Sequence, residues 1–122
     1  MKYMMLIYTP EMDSSDWSPE DQQAELAKWF AYSEDMSKAG VMIAGDALQP
    51  TATATCVRQR EGKDLVTDGP FAETKEVLGG YYLMEVPSID EAIEWAKRCP
   101  AAGYGTLELR PLMHFDMPTG GA

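Results

Sequence analysis

Three features of the sequence predict an α+β domain. Two stretches carry helix-start chemistry ahead of a three-four apolar spacing, one beginning at Ser18 and one at Ser88. Apolar β-type runs flank both, giving strand, helix, strand and again strand, helix, strand. Between the halves, Glu61-Gly62 makes a tight two-residue hairpin joining two further short strands. Without that inserted β-hairpin the order is βαββαβ, the ferredoxin-like arrangement, in which both helices cover one face of an antiparallel sheet.

Lys2 to Tyr8 is the first strand, and its apolar residues run almost continuously from Tyr3 to Tyr8. Pro10 to Trp17 reads as a loop. Ser18 is the expected N-cap of helix one, with Pro19 at the first helical position and Glu20-Asp21 in the first turn. Leu26, Trp29, Phe30, Ser33 and Met36 form its buried stripe. Glu25, Lys28, Tyr32 and Asp35 belong to a solvated face, and Gly40 ends the helix as an αL cap. Val41 to Ala44 is a second strand, stopped by Gly45-Asp46. Thr51 to Arg60 is the third, and Lys63 to Val66 returns from the hairpin. Asp68-Gly69-Pro70 is turn chemistry. Glu73 to Glu76 are polar, Gly79-Gly80 breaks the chain, and Tyr81 to Val86 is a strong strand. Ser88 and Glu91 make a capping box for helix two, whose apolar face is Ile89, Ala92, Ile93 and Ala96. Pro100 blocks its continuation. The last strand spans Gly105 to Pro111, with Leu107 and Leu109 on one side and Glu108 and Arg110 on the other.

A sheet covered on one face only should alternate polar and apolar residues. KYMMLIY and YYLME do not, so something must cover the second face. A second copy is the usual cover, giving a two-fold homodimer with sheets face to face.

With 122 residues the chain is expected to form one domain over residues 1–116, followed by a frayed tail at 117–122. A formal net charge of −10 argues against direct contact with nucleic acid or an anionic membrane. Cys56 and Cys99 form no CxxC pair and read as reduced structural thiols. A single histidine removes any His/Cys zinc cluster, and no signal of useful strength points to a metal or an organic cofactor. No signal peptide and no apolar run of about 20 residues is present, so a soluble, cytoplasmic protein is expected.

The candidate site residues are polar groups on an otherwise apolar fold. Asp68, rigidly placed by its turn, is the candidate catalytic carboxylate, although an Asx turn explains it equally. Glu73 and Lys75 share a face if extended, and are expected with Asp68 at the rim of a cavity that has Arg110 near its floor. Arg58 is expected to pair with Glu108 or with an acidic ligand. Tyr81 and Tyr82 point to opposite faces, so one of them could line the cavity. His114 is either structural or a general base awaiting a carboxylate.

DGPFAETKE followed by GGYY resembles the signature of the DGPF-domain proteins, a branch of the YCII-related superfamily. KYMMLIY, AGVMIAGDALQP, SIDEAIEWAKRCP and GTLELRP extend the likeness over nearly the whole chain. The resemblance implies a dimeric α+β barrel. It also implies a His-Asp site with its histidine on the first helix, but the first helix here has no histidine, so that carry-over fails. DGPF-domain proteins often accompany sigma-70-type transcription factors, which implies an accessory role in transcription. Three functions thus stand open: a small-molecule pocket between dimer halves, with or without catalysis; a protein-interaction module; and a structural dimer without ligand.

Overall fold

The structure is a computed structural model that describes residues 1–11 and 17–115. Its main sheet has four strands in the order β2-β5-β1-β6, where β1 is Lys2–Pro10, β2 Met42–Ala47, β5 Glu76–Glu85 and β6 Thr106–Pro111. Every pairing is antiparallel. Helix α1 (Pro19–Lys38) follows β1 and helix α2 (Ile89–Arg98) follows β5. This is an α+β fold consistent with the ferredoxin-like arrangement. β3 (Thr55–Arg60) and β4 (Lys63–Asp68) form a separate two-stranded sheet. Positive φ at Glu61 (53°) and Gly62 (74°) gives the turn between them the twist that two adjacent strands need. Among the described residues no helix is long and apolar enough to cross a membrane. The predicted tail at 117–122 and part of the loop before Trp17 lie outside the described residues.

Both helix starts are built as their sequences require. The Ser18 hydroxyl accepts from the Asp21 amide at 3.1 Å, and Ser88 from the Glu91 amide at 3.3 Å. Each satisfies a backbone donor that the first turn leaves without a partner.

The core lies on the helix side of the sheet. Register pairs Tyr3 with Met84 and Met5 with Tyr82, and Leu109 and Leu107 stand opposite Met5 and Ile7. Met5, Met36, Met84 and Val86 are the largest fully buried side chains. Met4, Leu6, Tyr8 and Leu83 alternate onto the second face and are only half-buried.

Several expected boundaries and faces differ. β2 runs through Gly45-Asp46, and β5 runs through Gly79-Gly80. Register shifts between Ile7 and Tyr8 and leaves Gly79 as a bulge, so the glycines bend the strand without ending it. Thr51–Thr53 is a single 3₁₀ turn, so β3 begins only at Thr55. On α1 the buried face is rotated from the expected one. Tyr32 is 4% exposed, whereas Leu26 and Phe30 are 52% and 64% exposed. The rotation follows from Trp29, Tyr32 and Met36, which pack on the sheet and leave Leu26 and Phe30 over open space. On α2, Ala92 is buried, with Trp95 and Ala96 against the core, and Ile89 and Ile93 are exposed.

Because Ser88 makes its cap bond, Ser88→Ala should lower unfolding stability by about 1 kcal/mol. Paired urea denaturation curves read this as a lower midpoint at unchanged slope. An unchanged midpoint would show that the bond contributes nothing.

Candidate functional site

A cavity of about 640 Å³ opens between α1 and the sheet, at the end where β1, β2 and β5 meet. Its floor is made by small residues, Gly45 and Ala47 on β2 and Gly79 and Gly80 on β5. These glycines do more than leave room. A Cβ on Gly45 would lie 2.7 Å from Tyr82 Cδ1, and one on Gly80 would lie 2.8 Å from the Asp46 carbonyl oxygen. Only glycine therefore lets β2 close on β5 and lets the Tyr82 ring lie flat beside it. Leu26 and Phe30 overhang the mouth from α1, and Trp17, Trp29 and Tyr104 supply further aromatic wall.

Several polar side chains stand in this apolar lining. The Tyr82 hydroxyl and Ser33 Oγ share a hydrogen bond of 2.7 Å. Glu25 Oε1 accepts from Trp29 Nε1 at 3.3 Å and from Tyr104 OH at 2.9 Å. Among the described residues its other oxygen has only Lys28 Nζ, at 3.6 Å, and Lys28 is largely solvated. Asp46 and Tyr81 also border the cavity, with Tyr81 OH donating to Asp46 Oδ2 at 2.7 Å. They pair with each other one position along from Gly45 and Tyr82, so their side chains alternate onto the second face.

Burial pushes the Tyr82 hydroxyl above its usual range, against an opposing effect of the Ser33 bond. Burial, reinforced by the Glu25 carboxylate, raises Tyr104 to about 12. Tyr81 is raised by its bond to Asp46. The cavity's tyrosines are thus neutral hydroxyls at physiological pH, able to donate and accept but not to serve as bases.

Of the residues singled out from the sequence, Tyr82 lines the cavity, and it rather than Tyr81 turns its ring inward. Tyr81 borders it from the second face, and the remaining candidates do not border it. Asp68 is exposed at the end of β4, in a turn held by the Gly69 amide on the Ala54 carbonyl at 2.7 Å. Glu73 and Lys75 are exposed in the segment before β5. Arg58 is on the two-stranded sheet with its guanidinium 6.0 Å from the Phe71 ring centre. Glu108 is on the main sheet, so the expected pair of these two is not made. Glu108 and Arg110 lie opposite Leu6 and Met4 on the second face, away from the cavity floor. His114 is exposed beyond β6. Among the described residues no group of three His, Cys, Asp or Glu could hold a metal ion.

The main residues missed were Glu25, Ser33, Trp29 and the floor glycines. In the sequence Glu25 reads as solvated, Trp29 and Ser33 as core, Gly45 as a strand stop, and Gly79-Gly80 as a break that also permits close approach of a ligand or partner strand. The available signal was two small-residue runs, Ala44-Gly45-Asp46-Ala47 and Gly79-Gly80, inside β-type segments.

The YCII-related domain model matches residues 1–116. The chain belongs to the YCII-related family. An uncharacterised protein of Rhizobium meliloti (strain 1021) is 38% identical over 114 residues, covering 92% of each chain. Among solved structures, 5-chloro-2-hydroxyhydroquinone dehydrochlorinase (TftG) from Burkholderia phenoliruptrix AC1100, in complex with 2,5-dihydroxybenzoquinone, has a similar fold. Its TM-score is 0.51 at 17% identity, with 94% of this chain and 96% of that one covered.

Alkaline pH should weaken the fold. Burial raises Cys99 from 9.0 to about 11, and Tyr104 is raised from 10.0 to about 12. The native state holds these protons after the unfolded chain has lost them, so stability falls as pH climbs. Denaturation midpoints should be level below about pH 9 and decline between about pH 9 and 12. Cys99→Ala should delay the onset toward the tyrosine value of 10.0. Midpoints level up to pH 11 in the parent protein would contradict this.

Proposed function

We propose that this YCII-related protein binds a small, planar, largely apolar molecule in the cavity beneath α1, and that it does so as a homodimer. One observation carries the first half. The site is a cavity of about 640 Å³, with an apolar aromatic wall, a glycine floor and a few placed polar groups. That combination is the common form of a small-molecule site. The side-chain-free glycine floor and the rings of Trp29 and Phe30 in the lining suit a planar ligand. The dehydrochlorinase of similar fold is in complex with 2,5-dihydroxybenzoquinone, which supports a ligand of about that size. The Tyr82–Ser33 pair and Glu25 give such a ligand hydroxyl and carboxylate partners.

The homodimer, with its two sheets facing in a barrel-like assembly, rests on the second face of the main sheet. Met4, Leu6, Tyr8 and Leu83 form an apolar strip there, extended by exposed Leu78. Glu108 and Arg110 flank it on β6. A strip that is its own complement under a two-fold axis suits a second copy of the chain.

The cavity reading is tested by ligand-observed NMR with a library of aromatic fragments, comparing the parent protein with Ala47→Phe. Ala47 lies on the exposed edge strand and faces the cavity beside Gly80. Phe there should fill the space and abolish fragment binding while the thermal midpoint moves by no more than a few degrees. Fragments that bind both proteins equally would place binding elsewhere, and a library without hits would end the reading. For the dimer, light scattering should report twice the 13.5 kDa chain mass, and Leu83→Glu should reduce it to one chain by burying an unpaired charge. A parent protein that scatters as a single chain would refute it.

A further inference from the structure

Charge in the cavity is one-sided. Among the described residues that line it there is no Lys, Arg or His, and the carboxylate turned toward it is Glu25. Glu25 is held rather than loose. Oε1 is fixed by Trp29 and Tyr104, while among the described residues Oε2 has no partner closer than Lys28 at 3.6 Å. The Lys28 side chain is 67% exposed, and such a solvated surface pair is weak, so it leaves the negative charge of Glu25 available. Trp29 and Tyr104 bond that carboxylate directly, and the rings of Trp17, Phe30 and Tyr82 share the cavity lining with it. Aromatic faces attract cations through the negative side of their π-systems, most strongly where water is excluded. A carboxylate or phosphate ligand, by contrast, would meet a carboxylate offset only by the solvated Lys28, with no cation in the cavity lining. The whole chain, at −10, adds a field of the same sign and draws cations toward the protein.

We infer that the cavity selects an organic cation, a protonated amine carried on a planar apolar body, with the ammonium beside Glu25 Oε2 and the body against the glycine floor. The inference rests on the proposal that the cavity binds a small molecule and adds the charge of that molecule. It distinguishes this site from one made for a free acid or a phosphate ester. No covalent step is involved.

Three probes of matched size separate the possibilities: phenethylamine, a cation at pH 7; 2-phenylethanol, which is neutral; and 3-phenylpropionate, an anion. Trp17 and Trp29 line the cavity, so tryptophan fluorescence reports occupancy, with competition by NMR as the second readout. Phenethylamine should bind about tenfold more tightly than 2-phenylethanol, and 3-phenylpropionate should not bind. Glu25→Gln keeps an amide oxygen to accept from Trp29 and Tyr104. It should bring the amine-to-alcohol affinity ratio close to one, with an unchanged emission maximum showing that the aromatic wall is intact. If the alcohol or the acid binds as well as the amine, the cavity is a small-molecule site but the charge assignment is wrong. If the ratio survives Glu25→Gln, Glu25 is not its source and the assignment also falls. If none of the three binds and the fragment library is silent too, both the assignment and the binding proposal are overturned.

Discussion

The hydroxyl of Tyr32 is buried where α1, α2 and the sheet meet, and a buried hydroxyl without a partner is costly. It donates to the Trp95 carbonyl at 2.7 Å and lies 3.8 Å from Met5 Sδ. The same ring meets Tyr82 edge-on, with centroids 5.5 Å apart, and Trp95 at 6.2 Å. Burial holds that hydroxyl protonated far above neutral pH, so the bond persists. One side chain thereby sets the rotation of α1, the seat of α2 and the position of the Tyr82 ring. The cavity inherits all three. With Tyr32 and Met36 turned into the core, Trp29 and Ser33 face the site one turn earlier and Leu26 and Phe30 reach over its mouth.

The sheet meets this constraint from below. Tyr82 is confined by Tyr32 on one side, by Ser33 at its hydroxyl and by Gly45 beside its ring. A residue confined in this way is pre-organised, which is what a binding wall requires. The glycine floor has a second consequence. Where Gly45, Gly79 and Gly80 carry no side chains, the space between α1 and the sheet is left unfilled.

The second face of the sheet and the cavity share β5, whose side chains alternate between them. Tyr82 and Met84 face the helices, and Tyr81 and Leu83 face away. A dimer formed on the second face would thus stiffen the strand that carries Tyr82 without touching the ligand. The two-stranded sheet of β3 and β4 stands apart, with Val57, Leu65 and Val66 exposed. None of its residues lines the cavity. The conspicuous DGPF stretch therefore shapes a turn and a connection beside that sheet and does not supply the pocket.

Local chemistry decided much of the fold within the sequence itself. The caps at Ser18 and Ser88, the Glu61-Gly62 turn, the alternation of β6 and the order of strands and helices all depend on residues close in the chain. That Tyr81 and Tyr82 face opposite sides was also legible, because successive strand residues alternate, but which of them turns to the cavity was not. The rest of the site was not. Glu25 looks like any solvated helix acid until Tyr104, 79 residues away, donates to it. Tyr32 reads as surface until the Trp95 carbonyl, 63 residues on, receives its hydroxyl. Gly45 reads as a strand stop, and Gly79-Gly80 as a break open to close approach, until β1 holds β5 in register and β2 closes alongside. Asp68, Glu73 and Lys75 made a persuasive cluster only because they are near one another in sequence. Helix rotation, strand register and the space left between them are set by side chains far apart along the chain, and these are what place the cavity.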